Sequence, residues 1–148
     1  MNWNSYEIKK KRSLETANEY SKDLSGLTVN LLVEDINLSI HFLKKIIEAK
    51  IVYQDPDFAA IEGFGSRWCL HSYHSYEYHS YMNVIKNSNP KGLGIELRVI
   101  GCDPDRAEEK ARKENYIILS NSMNKVHGMR ECYILDNNGF CWVPSIIV

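Results

Sequence analysis

The stretch HGMRECYILDNNGFCWVPS, His127 to Ser145, carries the strongest indication of fold in this 148-residue chain. It contains the run RECYILD and most of the run FCWVPSII, which ends at Ile147; both are rich in β-branched and aromatic residues and predict strands. Between them stand Asn137, Asn138 and Gly139, residues that accept the positive φ angles of a tight hairpin turn. The stretch therefore predicts a β-hairpin at the C-terminal end of the sequence.

The residues before this hairpin extend it into a larger unit. GIELRVI, residues 94–100, predicts a strand, and YIILS, residues 116–120, predicts another. Asp103 and Pro104 begin the helix DRAEEKARKE between them, because proline is tolerated in the first turn of a helix. The second half of the chain therefore has the order βαβββ.

The first half of the chain has the same order. LTVNLLVE, residues 27–34, predicts a strand, and Asp35 caps the amphipathic helix INLSIHFLKKIIEAK. The runs IVYQ, FAAIEGF and SRWCLHS then predict three strands separated by turn residues. The two halves form an internal repeat in which Asp35 aligns with Asp103 and Trp68 with Trp142. The two alignments differ by six residues, which we assign to a longer loop, SNSMNKVHGM, residues 120–129.

Two strings resemble a known family. LLVEDINLSIHFLKKIIEAKIVY resembles the V-x-D, S-x-x-F opening of the vicinal-oxygen-chelate superfamily of glyoxalases, bleomycin-resistance proteins and extradiol dioxygenases. The C-terminal stretch resembles the G-x-R-E and D-P-D-G-aromatic ending of its bleomycin-resistance-like branch, with Asn137 in place of the usual proline. The resemblance implies an α+β fold in which two tandem βαβββ modules form a curved eight-stranded cup with helices on the outside. We predict an N-terminal helical extension at 1–26, module one at 27–75, a linker at 76–91 and module two at 92–148.

Alternation along each predicted strand separates helix-facing from cup-facing side chains. Glu96 and Arg98 stand two residues apart on the cup face of the fifth strand. They either anchor a polar ligand or form an ion pair that satisfies itself, and the sequence leaves both open. The predicted cup face comprises Thr28, Asn30, Arg67, Cys69, His71, Glu96, Arg98, Cys141 and Ser145.

The resemblance also implies where metal ligands would stand, at about one position on each of four strands. These positions correspond to Thr28, Cys69 or its neighbour Trp68, Glu96, and Val143. Only Glu96 is a good ligand for a hard metal ion, and one carboxylate is too few for a stable centre. We therefore expect no cofactor and no metal site, with Glu96 as a weak candidate ligand and a divalent metal as the less favoured alternative.

The segment HSYHSYEYHSYM, residues 71–82, lies between the two modules and contains a threefold HSY. Its rings offer faces for flat or cationic ligands, so Tyr73 and Tyr76 are candidate contacts. A dimer-interface or plain surface loop is the alternative, and a metal site at His71, His74 and His79 is less favoured.

Several single residues receive structural interpretations. Trp68 and Trp142 are predicted to be symmetric core or subunit-interface aromatics, and His41 is predicted to pack within its helix. His127 is predicted to lie in a loop, with Arg130 and Glu131 holding the end of the seventh strand through polar contacts.

Composition excludes some classes of partner. Charged residues make up 25% and the net charge is −1, so bulk charge attracts neither nucleic acid nor an acidic membrane. The N-terminus has no apolar signal region and no apolar run reaches membrane-spanning length, so we expect a cytoplasmic protein. The four cysteines form no C-x-x-C pair, which favours reduced thiols.

The leading hypothesis is a metal-independent small-molecule binding protein that sequesters a drug or another aromatic or cationic ligand and forms a homodimer. One alternative is a divalent-metal-dependent lyase, isomerase or dioxygenase of the glyoxalase type. Another is an interaction module with a vestigial cup. The candidate ligand-binding residues are Asn30, Arg67, Cys69, His71, Tyr73, Tyr76, Glu96, Arg98 and Cys141.

Overall fold

The computed structural model describes residues 19–148. Most of the predicted N-terminal extension, 1–26, lies outside the described residues, and its described part begins with a helical turn at residues 19–22. Within residues 19–148, no helix is long and apolar enough to cross a membrane.

The first module has the predicted βαβββ order. Asp35 caps its helix by accepting a hydrogen bond from the Leu38 backbone N–H at 2.9 Å, and Glu48 ends the helical region in the left-handed conformation. Its elements are β1 (Asn30–Val33), α1 (Ile36–Phe42) with a π-helical continuation (Leu43–Ile47), β2 (Lys50–Gln54), β3 (Phe58–Gly63) and β4 (Ser66–Ser72).

A linker and the second module follow. A 3-10 turn (His74–Tyr76) and the short helix α2 (Met82–Ile85) belong to the linker. Asp103 caps the helix of module two by accepting from the Asp105 backbone N–H at 3.0 Å. The elements of this module are β5 (Glu96–Ile100), α3 (Pro104–Lys113), β6 (Ile117–Asn124), β7 (Met129–Leu135) and β8 (Cys141–Ile147).

The eight strands form two four-stranded sheets with matching topology. Module one has the order β1-β4-β3-β2 and module two the order β5-β8-β7-β6. In each sheet the first strand runs parallel to the last, and the remaining pairs are antiparallel. The first strand of each module, β1 or β5, is therefore an edge strand.

One core lies between the helices and the same face of both sheets. Trp68 and Trp142 meet there with their ring centroids 6.0 Å apart, so the predicted symmetric placement of these rings is confirmed. Its most buried members include Val33, Phe42, Leu43, Ile46, Ile47, Ala59, Ile61, Leu70, Ala107, Ala111, Cys132 and Ile134. A smaller cluster on the opposite face of module one contains Tyr20, Ala60 and Cys69.

Polar contacts between the modules fix their relative position. Glu48 bonds Arg106 at 2.7 Å and also bonds Lys110, both on α3. On the other side of the interface, the Asn138 side-chain amide donates to the Ser39 hydroxyl at 2.9 Å. The C-terminal hairpin is therefore attached to the first helix of the other module.

Three sequence predictions about these elements are wrong. His41 does not pack within its helix, because its ring is exposed and lies 2.8 Å from the Glu114 carboxylate. Thr28 precedes β1 and is exposed, so it has no place on the strand face. The predicted loop 120–129 is mostly strand, because β6 continues to Asn124 and the turn spans only 125–128. The extra residues lengthen the β6–β7 hairpin.

Candidate functional site

A cleft lies between the two modules, where the edge strands β1 and β5 face each other. Its volume is about 340 Å³. Residues from and just before β1, from the β3–β4 turn, from all of β5, and from β4 and β8 line it. The lining residues are Leu27, Val29, Leu31, Gly63, Phe64, Ser66, Arg67, Trp68, Glu96, Leu97, Arg98, Val99, Ile100 and Trp142.

The apolar part of the cleft is built on the two tryptophans. Both are buried, and Leu31 and Val99 of the core line the cleft beside them. Phe64 stands in the β3–β4 turn with a φ of 53°, a conformation that costs a bulky residue energy. A ligand in the cleft therefore meets aromatic and aliphatic surface.

The two tryptophans differ in the environment of their indole N–H groups. The Trp142 indole N–H donates to the Asp136 carboxylate at 2.9 Å. Burial raises the pKa of Asp136, although the hydrogen bonds from Trp142 and from backbone N–H groups act in the opposite direction. Asp136 stands two residues after Ile134, the strand partner of Trp142. The equivalent position in module one, two residues after the Trp68 partner Ile61, is Gly63, which has no side chain to accept a hydrogen bond. Within the described part of the chain, the buried Trp68 indole nitrogen has no hydrogen-bond partner. Only module two fixes its ring through a carboxylate.

Two arginines at the cleft are each matched by carboxylates. Arg67 lies 3.0 Å from Glu62 and 3.7 Å from Asp23. Arg98 donates to Glu131 at 2.8 Å. Glu96 is exposed and makes no ion pair among residues 19–148. The unbalanced charge in the cleft lining is therefore negative.

Glu131 is a buried carboxylate that the sequence assigned only to the end of a strand. It accepts from Arg98 and, at 3.0 Å, from the Ser145 hydroxyl, while the His127 ring lies 3.3 Å away. Burial works to raise the pKa of Glu131, but the bonds from Arg98 and Ser145 outweigh it and lower the pKa. The ion pair considered between Glu96 and Arg98 does not form, because Arg98 pairs with Glu131.

The strand pairing explains why Glu131 was missed. Glu131 is paired with Ser145, which was predicted to lie on the cup face, and alternates with the core residues Cys132 and Ile134. Alternation along β7 would have placed it on the cup face. His127 lies in the turn before β7 and Arg130 bonds Asp105 at 2.7 Å, so the predicted roles of these two residues are confirmed.

The cup face of module one is covered by the segment before β1. The Tyr20 hydroxyl donates to the backbone carbonyls of Ile61 at 2.8 Å and Trp68 at 3.2 Å. Burial raises the pKa of Tyr20 to about 12 and also raises the pKa of the adjacent Cys69 thiol. The Arg67 guanidinium lies 5.4 Å from the centroid of the Tyr20 ring. The Cys69 thiol is therefore covered by Tyr20, from the segment that precedes β1.

The histidine- and tyrosine-rich segment forms a separate aromatic cluster. The His71 ring packs between Phe58 and Tyr76, with centroid distances of 5.1 and 5.2 Å. Burial lowers the pKa of His71. Tyr73 instead faces Lys91, whose amine lies 5.5 Å from the ring centroid. None of these residues lines the cleft described above.

The structure thus divides the predicted ligand-contacting residues. Arg67, Glu96 and Arg98 line the cleft. The remainder lie elsewhere on the two sheets or in the linker: Asn30, Cys69, His71, Tyr73, Tyr76 and Cys141. Trp68, Trp142 and Phe64 line the cleft but were absent from that prediction, although their aromatic side chains at repeat positions and in a glycine turn were visible in the sequence.

The residues at the positions where the resemblance implies metal ligands do not fit a metal ion. Thr28 is exposed ahead of β1, the Cys69 thiol faces Tyr20, and Val143 has no donor atom. Glu96 alone is a good oxygen ligand. Across residues 19–148, no group of three or more His, Cys, Asp or Glu side chains is arranged to hold a metal ion.

No protein-family model and no curated protein matches the sequence. Solved structures do match its fold. A glyoxalase/bleomycin resistance protein/dioxygenase family enzyme from Burkholderia phytofirmans superposes with a TM-score of 0.67 at 14% identity, covering 82% of this chain and 97% of that one. A glyoxalase-related enzyme from Fulvimarina pelagi gives 0.66 at 14% identity, with 82% and 87% covered. A glyoxalase/bleomycin resistance protein/dioxygenase from Nocardioides gives 0.62 at 18% identity, with 91% and 93% covered.

These similarities confirm the predicted fold, because each neighbour is matched over most of both chains. Identities this low carry over the architecture and not the activity. The narrower assignment to the bleomycin-resistance-like branch stays a prediction.

Proposed function

We propose that this chain, which has the fold of the vicinal-oxygen-chelate superfamily, binds and sequesters a small aromatic cation in the cleft between β1 and β5 without a metal ion. One observation carries the proposal. The cleft is lined by Trp68 and Trp142, and in its wall lies the carboxylate of Glu96, which makes no ion pair among residues 19–148.

The size and lining of the cleft restrict the ligand. Small-molecule sites usually enclose about 300–1,000 Å³, so a cleft of about 340 Å³ suits a compound of one or two rings. Trp68, Trp142 and Phe64 line the cleft, and aromatic side chains favour aromatic groups and cations. The proposed ligand is therefore small and contains an aromatic ring.

The charges restrict it further. Arg67 and Arg98 are already bonded to carboxylates, so they attract an anion weakly. Glu96 has no such partner among the described residues and attracts a cation into the cleft. The proposed ligand therefore carries a positive charge.

The side chains at the family's ligand positions support binding without a metal ion. Thr28 and Val143 cannot replace imidazole or carboxylate ligands, and Cys69 is covered by Tyr20. We therefore assign the protein to binding and not to metal-dependent turnover.

Isothermal titration calorimetry in the presence of a chelator tests this proposal with two probes of similar shape. We expect 2-phenylethylamine, a cation at neutral pH, to bind, and 3-phenylpropanoate, an anion, to bind much more weakly. The exchange Glu96→Gln should weaken 2-phenylethylamine binding about tenfold, which is about 1.4 kcal/mol and well below the unscreened attraction because Glu96 is exposed.

The matched control is Glu77→Gln, which removes an exposed carboxylate outside the cleft and should leave the affinity unchanged. Equal affinity for both probes would contradict the charge assignment. Binding only after addition of Mn²⁺, Ni²⁺ or Zn²⁺ would contradict the metal-free mode.

We also propose that the protein forms a homodimer through β6. This edge strand has eight residues, and its apolar side chains Ile117, Leu119 and Met123 are exposed. Long apolar edges attract other chains, and a second copy would cover this one. Light scattering should give twice the 17.2 kDa chain mass, and Leu119→Lys should halve it. A wild-type mass of one chain would contradict the dimer.

A further inference from the structure

The side chains of Glu96 and Arg98 stand two positions apart on β5, and both line the cleft. A strand advances about 3.3 Å per residue, so the two side chains start about 6.6 Å apart on one face. Since Arg98 bonds Glu131, Glu96 and Arg98 do not neutralise each other. The strand therefore presents an acceptor and a donor side by side.

Arg98 retains unused donors at the cleft. Its guanidinium bonds Glu131 through one nitrogen, and within residues 19–148 its other N–H groups have no hydrogen-bond partner. The side chain is 43% exposed and lines the cleft. A guanidinium has five N–H donors in a fixed planar arrangement, so those remaining can meet a carbonyl or carboxylate oxygen.

Glu131 and Ser145 hold this guanidinium in place. Glu131 is 2% exposed and accepts from Arg98 and Ser145 with the same carboxylate oxygen, at 2.8 and 3.0 Å. Ser145 is fully buried and also donates towards the Val143 carbonyl at 3.0 Å. A buried, hydrogen-bonded anchor restricts the rotamers of Arg98, which reduces the entropy lost when a ligand binds.

We propose that the ligand carries a carbonyl or carboxylate oxygen beside its cationic nitrogen. Arg98 binds this oxygen and Glu96 binds the nitrogen. Glu131 is the positioning residue for Arg98. The inference rests on the proposed binding function and names the class of ligand. Aromatic compounds of the amino-acid amide or amino-acid type have this pattern of groups.

The test compares two probes that differ by one carboxamide, 2-phenylethylamine and L-phenylalaninamide, by calorimetry with the full chain. At about pH 6, well below the pKa of about 7.7 of an α-amino group, both are singly charged cations, so their affinity ratio isolates the contribution of the added carboxamide. We expect the wild-type protein to prefer the amide about tenfold, the effect of one hydrogen bond from a charged donor. The exchange Arg98→Met should bring the ratio close to one.

Glu131→Gln tests the positioning role through the same ratio. A purely structural loss would weaken both probes together, whereas loss of Arg98 positioning lowers the preference for the amide. Arg112→Met is the matched control, because Arg112 is exposed on α3 outside the cleft, pairs with Glu108 of the same helix and should keep the wild-type ratio.

The outcomes separate the two proposals. If 2-phenylethylamine binds but the wild-type ratio is near one, the role of Arg98 is wrong and the cationic cleft stands. If the ratio is about ten and survives Arg98→Met, the oxygen is bound elsewhere and the inference is overturned. If L-phenylalanine binds more tightly than its amide, the oxygen is a carboxylate, which supports the inference. If none of the probes binds, both proposals fail.

Discussion

Replacing Tyr20 measures how firmly the segment before β1 is attached to module one. The side chain is 6% exposed, and its hydroxyl donates to two backbone carbonyls. Tyr20→Phe removes this donor and should cost about 1 kcal/mol, the usual net value of one hydrogen bond. Tyr20→Ala also removes a buried ring and its contact with Arg67, so it should cost about 4 kcal/mol in all.

Urea unfolding followed by circular dichroism gives these free energies, and a thermal scan should show a fall in Tm of about 3 °C per kcal/mol. Tyr78 is 95% exposed and supplies the matched control, because Tyr78→Ala should change stability by less than about 0.5 kcal/mol. If Tyr20→Ala and Tyr78→Ala have equal effects, the segment does not cover the cup face, and Cys69 is open to ligands.

Three other properties follow from the structure. Asp136→Ala should cost about 3 kcal/mol in urea unfolding, because the Trp142 indole and two backbone N–H groups lose their acceptor; a cost below about 1 kcal/mol would contradict this. The pKa of Glu131 is lowered on folding, so its stabilisation is complete above its ordinary pKa and is lost as pH falls through the folded value. The stability difference between the wild type and Glu131→Gln should accordingly shrink between pH 7 and pH 3, and a constant difference would refute the assignment. Alkylation with iodoacetamide, followed by mass spectrometry, should modify Cys141 first, and early modification of any other thiol would contradict the burial of Cys69, Cys102 and Cys132.

Local patterns predicted those parts of the fold that depend on neighbouring residues. The caps at Asp35 and Asp103 and the alternation of Trp68 and Leu70 with Cys69 all hold in the structure. Each depends on helix or strand geometry within a few residues, which sequence spacing records directly.

The features that decide the site depend on contacts distant in sequence. Arg98 meets Glu131 across 33 positions, and that pairing requires the order β5-β8-β7. The cleft exists because two edge strands from different modules approach each other. Tyr20 bonds the carbonyls of Ile61 and Trp68, which lie 41 and 48 positions further along the chain. Spacing within one strand contains no information about such distances, so it leaves open whether Glu96 and Arg98 pair with each other.

Chemical-shift mapping shows whether the cleft binds a small aromatic cation without a metal ion. It would follow the backbone amides and tryptophan indoles of the ¹⁵N-labelled protein during titration with 2-phenylethylamine in the presence of a chelator. We expect shifts confined to the cleft, at Leu31, Leu97, Val99 and the indoles of Trp68 and Trp142. Shifts confined to the segment 71–82, or shifts that appear only when a divalent metal is added, would contradict it.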